Sequence, residues 1–86
     1  NYPNPFNPST SIEYAISYPS DISVDVFDIN GRKIITLDRG FRNIGSYIIY
    51  WDGMNEQSQK MPSGLYVYRL MANGIEIEKK KMLLLF

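Results

Sequence analysis

Eighty-six residues, 44% hydrophobic, 14% aromatic and 21% charged, describe one small globular domain and exclude an intrinsically disordered chain. Nine basic and nine acidic side chains cancel, which removes the electrostatic basis for nucleic-acid binding. Cysteine and histidine are both absent, so disulfides, thiolate metal sites and most nucleophilic or general-base arrangements are excluded, and neither enzyme activity nor a cofactor is expected.

The chain opens NYPNPFNPST. Pro3, Pro5 and Pro8 fix φ, remove donors and push the preceding residues out of the α region, so residues 1–10 read as an irregular lead with Tyr2 and Phe6 as its apolar groups. From residue 11 the period is two. Ile12, Tyr14 and Ile16 alternate with Ser11, Glu13 and Ala15; after a YPSD turn, Ile22, Val24 and Val26 alternate with Ser23, Asp25 and Phe27. Asn30-Gly31 predicts a type I′ hairpin turn, with the strand returning over Ile34 to Leu37. The buried face is ambiguous there because Ile34 and Ile35 are adjacent. DRGFRNIG, residues 38–45, reads as a longer connection. Tyr47, Ile49 and Trp51 then alternate with Ile48 and Tyr50, and two apolar faces predict a central strand.

Residues 52–64 are turn-rich. Leu65 to Ala72 forms a strand with Tyr66, Tyr68 and Leu70 on one face; Asn73-Gly74 is a second I′ signal; Ile75 to Phe86 forms the last strand, with a break expected near the lysines. No stretch shows a helical period. The pattern predicts an all-β, immunoglobulin-like antiparallel β-sandwich of about seven short strands over residues 11–86, with a small closed barrel as the alternative. No apolar run reaches the ~20 residues of a membrane-spanning helix. The missing initiator methionine and signal peptide lead to the expectation of an end piece of a longer protein.

Site chemistry is sparse. Asp25 and Asp28 fall on opposite faces of a regular strand, Glu76 and Glu78 share one, and all four read as exposed strand charges. Asp52, Asn55 and Glu56 offer oxygen donors for calcium, but Asp and Asn are also turn formers, and that reading leads, so no metal site is assigned. Trp51 and the tyrosines read as core, leaving a sugar platform only if Tyr50 is exposed. Lys79, Lys80 and Lys81 before Met82 to Phe86 suit an edge strand that discourages unwanted pairing yet is open to β-augmentation or to dimerisation through its edge.

YPNPFNPST, VFDINGRKI, WDGMN, SGLYVYRL and KKKMLLLF, in that order, resemble the type A C-terminal sorting domain of the type IX, or Por, secretion system of Bacteroidetes-like bacteria. The chain is also similar to the Ig-like domain of flagellar hook-capping proteins, which share G-R, W-D-G and S-G-x-Y-x-Y-R-L; the NYPNPF lead and the basic-apolar end favour the sorting domain. The resemblance implies an N-terminally fused cargo that crosses the periplasm and is led to outer-membrane translocon and shuttle proteins. A sortase-like peptidase there commonly removes the domain, and the cargo ends at the cell surface or secreted. It also carries translocon recognition over to Lys80, Lys81, Met82, Leu83, Leu84 and Leu85. The Pro/Asn-rich lead with Tyr2, Pro3, Asn4, Pro5 and Phe6 resists helix and sheet, and reads either as a spacer that keeps cargo and domain apart and accessible to processing or as a loop that caps the sandwich. Gln57-Ser58-Gln59 departs from the family's usual Asp-Asn-Gly, and Phe86 stands where a polar residue is common. The competing expectations are an Ig-like spacer in a surface or flagellar protein and a carbohydrate-binding module.

Overall fold

The computed structural model describes residues 10–85. Tyr2, Pro3, Asn4, Pro5 and Phe6 of the lead fall outside the described residues, as does Phe86. Six strands follow one another: β1 Thr10–Ile16, β2 Ser20–Asp28, β3 Lys33–Arg42, β4 Gly45–Trp51, β5 Gly64–Ala72 and β6 Ile75–Leu84. They form a two-stranded sheet, β1-β4, and a four-stranded sheet in the order β3-β2-β5-β6, with every pairing antiparallel. This is the expected all-β, Ig-like sandwich, with one strand fewer than the pattern suggested.

The period-two alternation builds the core. Ile12, Tyr14 and Ile16 from β1 face Ile22 and Val24 of β2 and Tyr68 and Leu70 of β5. At one end Trp51 of β4 meets Val26, Tyr66 and Leu84. Each such side chain contributes about 1.5–3 kcal/mol by leaving water. Trp51 and Tyr66 touch edge to face with centroids 4.9 Å apart, and the indole Nε1–H donates to the Met54 carbonyl at 2.9 Å. The only polar group of the indole is thereby satisfied.

Four local expectations change. The NG turn is not type I′. Gly31 has φ +87°, but Asn30 does not enter the positive region. Gly31 N–H donates to the Asp28 carbonyl and Asp28 N–H to that of Arg32, so Ile29 to Gly31 form a three-residue loop with glycine in the left-handed position. Asn73 (φ 51°) and Gly74 (φ 79°) do form the second turn as expected.

Of the segment read as a connection over 38–45, residues 38–42 are instead the end of β3, leaving only Asn43 and Ile44 between β3 and β4. Asp38 and Arg42 look like loop residues in sequence, yet they point into the sandwich. There Arg42 ion-pairs with Asp38, and the Tyr14 hydroxyl of the opposite sheet donates to the other Asp38 oxygen at 2.8 Å. The β2–β3 register slips twice, leaving Leu37 and Ile34 without cross-strand partners. These bulges resolve the Ile34/Ile35 ambiguity: both side chains, and Leu37, reach the Trp51 cluster. β4 is not central; among the described residues it pairs with β1 alone, and Ile48 and Tyr50 face solvent.

The Tyr14–Asp38 contact ties the two sheets and carries a pH dependence. Burial, followed by the hydrogen bond and charge of Asp38, pushes the Tyr14 hydroxyl up to about 12. A folded-state value above the ordinary one means this contribution is complete below pH about 10 and is lost as pH rises toward about 12. Thermal unfolding across that interval shows a falling midpoint, and Tyr14→Phe flattens the fall. An unchanged slope in Tyr14→Phe excludes this linkage.

Candidate functional site

The terminal strand is an edge. β6 pairs with β5 on one side, and among the described residues its other edge meets no strand. The sequence-predicted recognition residues fall on this strand, and alternation divides them. Lys80 lies opposite Tyr68 on the core side, and its ammonium stands 3.1 Å from Glu78 Oε2, a hydrogen bond and charge that raise its pKa. Met82 lies opposite Tyr66 and packs against both core clusters. Leu84 is 0% exposed. Lys81 and Leu83 point the other way, opposite Val67 and Leu65. Leu83 is 51% exposed and Leu85, just past the strand, 65%. A partner can therefore touch Lys81, Leu83 and Leu85, joined by Lys79, on the outer face, and the exposed Lys80 on the other, without unfolding the strand. Leu65 completes the outer face and was missed in the sequence, although it is out of phase with the buried Tyr66, Tyr68 and Leu70 and so had to face outward.

The expected break near the lysines is absent. The one register shift in the β5–β6 pairing comes earlier, where Leu70 pairs with Glu78 and Met71 with Glu76, leaving Ile77 unpaired. That bulge puts Glu78 opposite an inward residue and Glu76 opposite an outward one, so the two glutamates do not share a face as the sequence suggested.

Asp25 also departs from the exposed-charge reading: it is only 4% exposed, at the centre of the outer face of the larger sheet. Its Oδ1 accepts from Thr36 Oγ1 at 2.6 Å and its Oδ2 from Ser23 Oγ at 3.3 Å. Lys33 Nζ and Arg69 Nη2 stand 3.4 and 3.6 Å away. Burial pushes its carboxyl up, but the Thr36 hydrogen bond and the charges of Lys33 and Arg69 outweigh burial and hold it below the usual range. Arg69 lies over the Phe27 ring at 4.8 Å, and its buried Nε finds no acceptor among the described residues. Asp28 is engaged separately, by Arg32 and the backbone of its turn, so the two aspartates form no catalytic pair.

The oxygens of the 52–64 loop are used locally. Asp52 accepts the Met54 N–H, Asn55 those of Gln57 and Gln59, and Glu56 the Thr36 N–H on the edge of β3. Among the described residues no group of Asp and Glu is arranged to hold a metal ion. The Asn55–Gln59 turn repeats the Asp28–Arg32 turn bond for bond, with Ser58 at φ 62° where the first has Gly31.

The sequence matches the FlgD Ig-like domain over residues 7–74. The chain belongs to that family. The sequence match ends at residue 74, before the first residue of β6. Solved structures share the fold. FlgD from P. aeruginosa superposes with a TM-score of 0.72 at 22% identity, covering 88% of this chain and 61% of that one. Dimeric latent PorU from Porphyromonas gingivalis superposes with a TM-score of 0.68 at 23% identity, covering 95% of this chain and 8% of that one. The chain thus spans less than two thirds of either. The sequence matches none of the curated proteins.

The FlgD-type core disposes of the aromatic platform. Trp51, Tyr14, Tyr66 and Tyr68 are buried, and Tyr14 and Tyr47 stack on each other 5.2 Å apart. Tyr50 is 67% exposed, but its cross-strand partner is Ser11 and the next outward pair is Glu13 and Ile48, so among the described residues its own sheet sets no second ring beside it.

Proposed function

We propose that this FlgD-type Ig-like domain is a C-terminal sorting domain of the type IX (Por) secretion system, of type A. It acts as a ligand and a peptidase substrate, with no catalysis of its own. It directs a fused N-terminal cargo from the periplasm through the outer-membrane translocon to the cell surface or medium. The reading is carried by the sequence KKKMLLLF, which follows four other sorting-domain motifs in register, and by β6, whose outer edge meets no strand among the described residues. Main-chain groups on such an edge are suited to strand addition by a translocon or shuttle protein, while outward side chains supply selectivity. In a reporter fusion, deleting residues 80–86 should leave the cargo in the periplasm. Surface delivery equal to that of the intact fusion would contradict the proposal.

A second reading, an Ig-like spacer, is favoured by the family match itself, which covers residues 7–74. Mass spectrometry of the mature cargo separates the two. A sorting domain processed in this way is missing from surface protein; a spacer is retained.

A further inference from the structure

We propose that one end of the four-stranded sheet, made by the β2–β3 turn and the last residues of β6, seats on a lipid bilayer with anionic headgroups. This goes beyond the sorting reading and does not depend on it. The pairing Phe27–Val67 and Leu65–Leu83 brings the turn to the same end of the sheet as the end of β6. Four exposed aliphatic side chains gather there: Ile29 at the tip of the turn, Leu65, Leu83 and Leu85. Arg32 and Lys33 come after Ile29, separated from it by Asn30 and Gly31, while Lys81 and Lys79 climb from Leu83 on the outer face.

Charge and spacing both fit a membrane surface. Asp25 pairs with Lys33 and Arg69 and Asp28 with Arg32, so those cations are already engaged, whereas Lys79 and Lys81 enter no ion pair among the described residues. Alternate residues of a strand are about 7 Å apart. When Leu83 sits at the acyl boundary, Lys81 is therefore at the depth of the phosphates. Interfacial groups are buried about 5–10 Å. A flat acidic protein surface would engage the lysines but offer the protruding Ile29 tip nothing to enter. The bilayer accepts both.

The test is co-sedimentation of the chain with vesicles of phosphatidylcholine and phosphatidylglycerol, against phosphatidylcholine alone and against soluble polyglutamate. Binding to the mixed vesicles is expected, weakening as salt rises. Lys79→Gln with Lys81→Gln lowers it about 30-fold, from roughly 1 kcal/mol per basic residue at an anionic surface. Ile29→Ser with Leu83→Ser lowers it as well, including at low salt. All four positions face solvent, and circular dichroism of both double variants verifies that the fold is kept. Equal binding to neutral vesicles overturns the proposal. So does binding that the aliphatic variant leaves unchanged, or polyglutamate binding as tight as that to anionic vesicles.

Discussion

Alanine in place of Trp51 costs about 3–5 kcal/mol of folding free energy, the range for truncating a fully buried aromatic. A domain of this size has roughly 4–13 kcal/mol in total, so the variant is unfolded or close to it at ambient temperature. Trp51 is the largest fully buried side chain, it fills the space between the sheets beside Val26, Tyr66 and Leu84, and its Nε1–H fixes the first turn of the 52–64 loop at Met54. Trp51→Phe keeps a ring against Tyr66 but drops the hydrogen bond and leaves a void, so it costs an intermediate amount. Urea unfolding monitored by circular dichroism measures both. A loss below about 1 kcal/mol for Trp51→Ala, at the level of an ordinary surface substitution, would falsify the placement of Trp51 as the centre of this end of the core.

What could be read in the sequence was whatever depends on period and turn chemistry. The alternations in β1, β2, β4 and β5 each put the expected residues inside, because one buried face per strand fixes register. Asn73-Gly74 was legible because both residues adopt positive φ. Asn30-Gly31 was not, because Asp28 takes over the turn with its carboxylate, accepting the Asn30 and Arg32 N–H groups and shifting the loop by one residue. The end of β3 was hidden by its composition. Charged and glycine residues read as a loop, whereas Asp38 and Arg42 neutralise one another beneath Tyr14. Ile34 and Ile35 could not be assigned without the bulges, which depend on pairing and not on local pattern.

The shared motifs explain themselves as fold devices. In WDG, Trp51 is core and Asp52 caps the turn. In SGLYVYRL, Tyr66, Tyr68 and Leu70 are core, and Arg69 serves buried Asp25 on the opposite face. Such motifs report architecture first, which is why a FlgD Ig-like domain and a sorting domain both carry them. The residues that separate the two readings lie in the lead and in β6. Of the candidate site, the sequence indicated the strand but not its division, since five apolar residues in a row carry no phase of their own. The phase comes from Tyr66, which draws Met82 inward and leaves Leu83 out.

That division predicts opposite outcomes for adjacent leucines. Leu84→Ala removes a fully buried side chain from the Trp51 cluster and lowers stability by about 2–5 kcal/mol. Leu83→Ser, one residue earlier, replaces a half-exposed side chain on the outer face and changes stability by about 0.5 kcal/mol or less, as surface substitutions do. Chemical denaturation of the two variants side by side measures the difference. The pair also decides how export experiments on the tail are interpreted. A truncation of residues 80–86 removes the core anchor Leu84 together with the outward Lys81, Leu83 and Leu85, so loss of delivery combines lost recognition with lost folding. If recognition uses the outer side chains, Leu83→Ser stays folded and impairs delivery. Comparable destabilisation by the two substitutions would mean that β6 does not hold the register found here.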